Sequence, residues 1–384
     1  MGSMPNLIII GASARAAAAS AIRAGFTPWT ADLFADRDLR EMVPDAIRCP
    51  AEQYPQGFVD ILKQAPDATW MYTGALENSP NLIRKLIKIR PLWGNGTDAL
   101  LASRSPFFIA RLLERNGLPA LEVRLSDGER SPVHRWLQKP LRGAAGNGIR
   151  FSVERNPSGY FQQYIEGTSM SANFVRARGR VKLLGITEQL IGIDWLNAPP
   201  FRYAGNIGPA EVSEPCRAEL TRIGEVIGDG CGLLGLFGVD FILAENRPWV
   251  VEVNPRYTAS VEVLERAMDF SLLSEHRTAF ADEFVPPRML PGHSKICGKA
   301  ILYAEREFVF SSTDWPGRED LENFADIPHQ GDLIQAGWPI LTILATGNST
   351  EECRTELKSR ANILNTHLHL SSLIHAENMG NMAY

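Results

Sequence analysis

Long apolar runs are missing from this 384-residue sequence: Leu7 to Ile10 is short, and Leu233 to Leu243 is broken by Asp240. Neither approaches the roughly 20 residues that cross a bilayer, so no transmembrane helix and no membrane partner are expected. Cysteine is scarce. Cys49, Cys216, Cys231, Cys297 and Cys353 are scattered without a C-x-x-C pair, which excludes a disulfide scaffold and a zinc ribbon. Neither sign of charge dominates: 39 Lys plus Arg against 44 Asp plus Glu leaves a net charge of -5, which argues against nucleic acid as a partner. The G-x-x-x-x-G-K-[ST] phosphate loop is absent. Gly11-Ala-Ser-Ala-Arg-Ala keeps only the first glycine of G-x-G-x-x-G, so an NAD-dependent oxidoreductase has little support. Met1-Gly-Ser-Met lacks the basic and apolar regions of a signal peptide, and a cytoplasmic location is expected.

What is present is ordinary globular composition, 45% hydrophobic and 22% charged, enough for a sizeable core. At about 150 residues per domain, two or three domains are expected. The first third alternates strands (Leu7 to Ile10, Thr27 to Leu33, Thr69 to Tyr72) with helices, including an alanine-rich one ending before Gly25. That alternation predicts a parallel, doubly wound sheet. Next come a helix over Pro106 to Asn116 and strands over Ser171 to Arg176 and Val181 to Gly185. A helix over Ala218 to Gly228 precedes the strands Val239 to Ala244 and Trp249 to Val253, with Glu245 to Pro248 as the hairpin turn. Beyond Pro286-Pro287 and Pro291-Gly292 a third segment carries strands Lys299 to Tyr303 and Ile340 to Ala345 and a last helix over Thr350 to Leu364.

Two clusters carry chemistry. Lys139 ends a strand and precedes Gly143, Gly146 and Gly148. An ammonium followed by glycines that let backbone N–H groups approach oxygens suits a triphosphate, although a glycine-rich hairpin has the same look. Asp240 and Glu252 fall on the two strands of the predicted hairpin, and period-2 geometry puts Glu252 and Asn254 on one face. Two carboxylates and an amide oxygen make a hard-oxygen set for magnesium, and Arg256 adds a fixed cation for an anionic substrate. Solvent-facing charges on a sheet are the alternative. His134 and the pair His367 and His369, placed in a polar tail, receive no role; Trp195 reads as a loop anchor.

In combination these parts resemble the ATP-grasp superfamily. The resemblance implies an α/β and α+β multidomain protein: a Rossmann-like pre-ATP-grasp domain over 1–100, a two-lobed ATP-grasp domain over 101–288, and a small carboxylase-like C-terminal β-rich domain over 289–384. Lys139 matches the strand lysine on the phosphates and Gly143 to Gly148 the phosphate-covering loop. Gln162-Gln163-Tyr164-Ile165-Glu166-Gly167 matches the hinge that holds adenine, with Gln162, Gln163 and Ile165 as contacts. Asp240, Glu252 and Asn254 match the metal ligands, and Arg256 with Lys139 the catalytic cations. Two positions depart from the pattern: Ser169 stands where a ribose-binding glutamate is usual, and Ser103-Arg104 replaces an Asp-Lys pair, making Arg104 the substitute nucleotide contact. The implied activity is an ADP-forming ligase that joins a small carboxylate to an amine using ATP and Mg²⁺, with Mn²⁺ as an alternative ion. Some relatives accompany methanofuran and tetrahydromethanopterin pathways, including a tyramine–glutamate ligase, which makes glutamate in C1 cofactor synthesis a first guess. A bicarbonate-using carboxylase, a non-catalytic ATP-binding protein and a homo-oligomeric assembly remain open.

Overall fold

The computed structural model describes residues 6–125, 135–151, 159–281, 292–293, 295–311 and 322–380, with side chains to 368. His134, Pro286, Pro287, Pro291 and the His369 side chain lie outside the described residues.

Strands β1 (Leu7–Ile10), β2 (Pro28–Asp32), β3 (Ile47–Arg48) and β4 (Thr69–Tyr72) form a parallel sheet in the order β3-β2-β1-β4. Helices α1 (Arg15–Arg23), α2 (Arg37–Met42), α3 (Phe58–Gln64) and α4 (Pro80–Leu86) connect and flank it. The four apolar residues of β1 are fully buried because both faces of the sheet are covered. Leu7 and Ile9 pack with Ala17, Ala18 and Ala21 of α1, whose small side chains let helix and sheet approach closely. Ile8 and Ile10 pack on the other face with Phe58, Leu62 and Ile83. The chain leaves β1 for β2 on one side and reaches β4 on the other. The loops after β1 and β4 therefore flank a switch point, where ligands gather in such sheets. Gly11 is required there, since a Cβ would lie 2.0 Å from Thr73 Oγ1.

Helices α5 (Thr97–Ser103) and α6 (Pro106–Arg115) lead out of this unit. Ser105 caps α6, accepting from Phe108 N–H at 3.2 Å, and Pro106 takes the first helical position. A small antiparallel sheet follows, with β5 (Val123–Arg124), β6 (Trp136–Pro140), β7 (Arg150–Phe151) and β8 (Gly159–Gln163) in the order β5-β8-β6-β7. Next in the chain are β9 (Thr168–Ala177), β10 (Arg180–Ile191), β11 (Tyr203–Gly208), α7 (Glu214–Gly230), β12 (Gly235–Ala244), β13 (Arg247–Asn254), α8 (Ala259–Met268) and α9 (Leu273–Arg277). The last part holds β14 (Ile296–Tyr303), β15 (Phe308–Val309), β16 (Phe324–Ala325), β17 (Leu333–Ile334), β18 (Pro339–Gly347) and α10 (Thr350–Gly380). A large antiparallel sheet runs β13-β12-β9-β10-β11-β14-β18-β16, so C-terminal strands extend the same sheet as the central ones.

Three local expectations need correction. The β12–β13 turn has only two residues, Glu245 and Asn246, with φ of 49° and 61°, the double left-handed geometry of a tight hairpin. Pro248 sits in β13, where an edge strand tolerates its missing N–H. Finally, α10 runs past Leu364 to Gly380, so His367 lies within the helix. No glycine or proline interrupts the sequence from Thr350 to Met379. Its buried stripe, Cys353, Leu357, Ala361 and Leu364, packs in the core that also holds Ile343 of β18 and Ala300 of β14.

Candidate functional site

A cavity of about 730 Å³ is lined by the large and the small antiparallel sheets, by the two-stranded β15–β17 sheet and by loops of the parallel sheet. Its most specific feature is the β12–β13 hairpin. Phe241 pairs with Val250, yet Asp240 pairs with Glu252, because Val251 is an extra residue in β13. This bulge decides which side chains share a face. Without it Asp240 would face Val251, and Glu252 and Asn254 would point to the opposite face. With it, Asp240, Glu252 and Asn254 all line the cavity, and Asn254 Nδ2 donates to Asp240 Oδ2 at 2.9 Å. Among the described residues no three His, Cys, Asp or Glu side chains converge as a metal centre. This set has two carboxylates and an amide, which suits a hard ion whose remaining positions are filled by water and phosphate.

Lys139 lies in β6 and is 8% exposed. Its ammonium donates to Gln162 Oε1 at 3.0 Å and to the Val251 carbonyl at 3.4 Å, with no carboxylate within ion-pair distance among the described residues. Its direct hydrogen-bond partners are neutral and its charge is felt by Glu252, which leaves the ammonium able to take an anion. Gln162 thus orients the lysine. Gln163, Tyr164 and Ile165 line the cavity, but the N–H groups of Gln163 and Tyr164 are committed to the carbonyls of Glu122 and Arg135 at 2.9 and 2.8 Å.

The glycine loop is docked. The Gly143 carbonyl accepts from Asn78 Nδ2 at 3.0 Å and Arg104 Nη2 at 3.3 Å, and the Ala145 carbonyl accepts from Tyr203 N–H at 3.1 Å. Gly146, at φ 75°, cannot carry a side chain, since a Cβ would meet the Phe201 carbonyl oxygen at 1.8 Å. Gly146 lines the main cavity, Gly143 an adjoining pocket of about 70 Å³, and Gly148 neither. Arg104 lines the smaller pocket and is already engaged, donating to Glu252 and, at 3.1 Å each, to the Val253 carbonyl and Asn78 Oδ1. Arg256 lines the main cavity and donates to Glu77 at 2.6 Å and to Asn254 Oδ1 at 3.3 Å, while its buried Nε has no partner.

The two carboxylates differ electrostatically. Burial, then the neighbouring Glu252, pushes the Asp240 carboxyl up to about 6, despite hydrogen bonds from Ser171 and Gln189. Burial alone would raise Glu252 too, but Arg104 and Lys139 outweigh it and hold that carboxyl below its ordinary range. Residues 104–260 match the family model described as "ATP-grasp domain". The chain carries an ATP-grasp domain. It is 27% identical over 222 residues to an uncharacterized protein of Methanocaldococcus jannaschii, across 55% of this chain. The match spans about half of that relative's length (51%). The fold is similar to that of an L-amino acid ligase from Bacillus licheniformis, with a TM-score of 0.67, 17% identity, and 94% and 97% of the two chains covered. It is likewise similar to biotin carboxylase from Campylobacter jejuni, solved as a β,γ-ATP complex, with a TM-score of 0.68, 14% identity and coverage of 92% and 90%.

In and around the cavity stand residues that the sequence reading passed over. Glu77, in the turn after β4, lines the cavity and accepts from Arg256, and the adjacent Asn78 accepts from Arg104. Asn95 clamps the turn before Arg256, donating to the Pro255 carbonyl at 2.9 Å and the Leu234 carbonyl at 3.1 Å. The one signal for Glu77 and Asn78 is position, at the carboxyl end of a parallel strand beside the switch point. Trp195 packs against the C-terminal core. No helix among the described residues is long and apolar enough to cross a membrane.

Proposed function

We propose that this chain is an ATP- and magnesium-dependent ligase that joins a carboxylate to an amine and releases ADP and phosphate. The observation that carries the reading is one continuous cavity. It joins Lys139 and the Asp240–Glu252–Asn254 face to Arg256 and to the switch-point loops at Ser13 and Thr73, leaving room for a nucleotide and a second substrate. The residues fit the ion and the nucleotide: two carboxylates and an amide on one face, a lysine with no carboxylate in ion-pair contact among the described residues, and a glycine where a Cβ would block the loop's docking.

Asp240, Glu252 and Asn254 would hold Mg²⁺, which would supply charge neutralisation for the phosphates. Lys139 neutralises the phosphates from the β6 side. Arg256, fixed by Glu77 and Asn254, holds the substrate carboxylate and offsets charge on the transferring group. A carboxylate oxygen attacks the γ-phosphorus, the bond to the β–γ bridging oxygen breaks, and ADP leaves. The amine nitrogen then attacks the acyl carbon, phosphate leaves, and the nitrogen loses a proton. The docked glycine loop keeps water from the acyl phosphate. Glutamate is the first acid to test.

Hydroxylamine tests this without knowledge of the natural amine. With Mg-ATP and a panel of carboxylates that includes glutamate and bicarbonate, one acid is expected to yield equal ADP and acyl hydroxamate. ADP that forms at the same rate with and without every acid would refute the reading.

A further inference from the structure

We propose that Asp36 is an ammonium receptor on the cavity wall where the parallel sheet meets the C-terminal strands, taking a primary amine carried on a small apolar body. The proposal rests on the ligase reading for what becomes of the amine, but its binding stands on separate observations.

Five carboxylates meet where the parallel sheet packs on the C-terminal strands: Asp32, Asp36, Asp38, Glu262 and Asp326. Two buried cations, Arg15 and Lys299, counter them. Asp32 accepts from the N–H groups of Ala14, Phe34 and Ala35 at 2.7, 3.0 and 2.6 Å. Asp38 accepts from the N–H groups of Asp326 and Ile327, both at 3.0 Å. Asp326 is held by Arg15 and by Thr342 Oγ1, the latter at 2.6 Å. Glu262 lies between Arg15 and Lys299. Only Asp36 is left out. It is 5% exposed and lines the cavity, and no hydrogen bond or ion pair from the described residues reaches its carboxylate. It also forgoes the bond open to it locally: Asp36 precedes α2, yet its side chain does not cap the helix.

The arginines and the lysine that line this end of the cavity are each ion-paired. Arg48 pairs with Asp332 at 2.7 Å, Lys299 with Glu262 at 2.7 Å and Arg256 with Glu77 at 2.6 Å. A further anion would find no free partner here, whereas a cation finds one. A metal ion is disfavoured, since the acids do not converge as a ligand group. Phe34 and Trp338, edge to face at 6.5 Å, line the same cavity with Leu333 and Ile340, giving the ammonium an apolar surround. Burial, then Asp326, Asp32 and Asp38, holds the Asp36 carboxyl well above its ordinary range against the smaller opposing pull of Arg15, and an arriving ammonium favours its ionised form.

Butylammonium chloride and butan-1-ol, similar in size and different in charge, are titrated by calorimetry into the wild-type chain and Asp36→Asn. The wild type is expected to bind the amine at least tenfold tighter than the alcohol, and Asp36→Asn to abolish that preference. Asp36→Glu, which keeps the charge, should retain part of it. Equal binding of amine and alcohol by the wild type overturns the proposal and needs no variant. A preference that survives in Asp36→Asn overturns it as well. The hydroxylamine assay reports the ligase reading separately: acyl hydroxamate without an amine preference removes this proposal alone. An amine preference without ADP formation removes the ligase reading and leaves the ammonium site standing.

Discussion

Replacing Lys139 by Met keeps the volume of a buried side chain and removes its charge. In the structure the ammonium is held by an amide oxygen at 3.0 Å and a carbonyl at 3.4 Å, with no carboxylate within ion-pair distance. Loss of those neutral contacts costs about 1–3 kcal/mol, while removing a poorly paired buried charge returns a similar amount. The ligand-free protein should therefore change by about 1 kcal/mol or less, a thermal shift of roughly 2–4 °C at most. Binding is different. A charge-assisted hydrogen bond to a phosphate is worth about 1.5–3 kcal/mol, which at 1.4 kcal/mol per tenfold weakens ATP by roughly 10- to 150-fold. Calorimetry with Mg-ATP and a thermal scan read the two numbers independently. ATP affinity within twofold of wild type would refute the reasoning. So would a ligand-free protein melting more than 10 °C lower, because the lysine would then be a structural strut.

Glu252→Gln is expected to reduce turnover at least a hundredfold with the fold intact by circular dichroism; an unchanged rate would remove Glu252 from the metal site. Arg256→Ala should slow acyl hydroxamate formation more than it weakens ATP binding, and a fall in ATP affinity alone would contradict its substrate role. Asp240 binds a metal only when ionised, and its carboxyl stands near 6, so Mg-nucleotide affinity should fall about tenfold per pH unit below 6 and level off above. The ligand-free protein behaves oppositely: the raised value means that Asp240's contribution to stability is present below its ordinary value near 3.8 and lost as pH rises through 6. Affinity that is flat from pH 5 to 7 would exclude Asp240. Glu262→Gln strips buried Lys299 of its carboxylate and should cost roughly 3–5 kcal/mol in urea unfolding. A loss below about 1 kcal/mol would show the pair to be dispensable.

Much of the candidate site was legible because its residues come from short local patterns. Lys139 lies at a strand end before its glycines, and Glu252-x-Asn254-Pro255-Arg256 is a single strand and the turn after it. The apolar run of β1 and the alanines of α1 likewise announce a strand covered on both faces and a closely packed helix. The Val251 bulge was not legible. Nothing in the local composition marks an extra residue, yet it alone turns Asp240 onto the face of Glu252. Glu77 was missed for another reason: it meets Arg256 across 179 residues of sequence, a contact that only the packing of the parallel sheet on the hairpin creates. The acids around Arg15 share that cause, Asp326 lying 311 residues away from it.

The most direct test of the central claim is ADP release from Mg-ATP across paired panels of carboxylates and primary amines, with Glu252→Gln protein as the blank. The expected result is ADP that appears only when one particular acid and one amine are both present, and not with the variant. Tight ATP binding without ADP from any pair, or ADP formed equally by Glu252→Gln, would contradict the account.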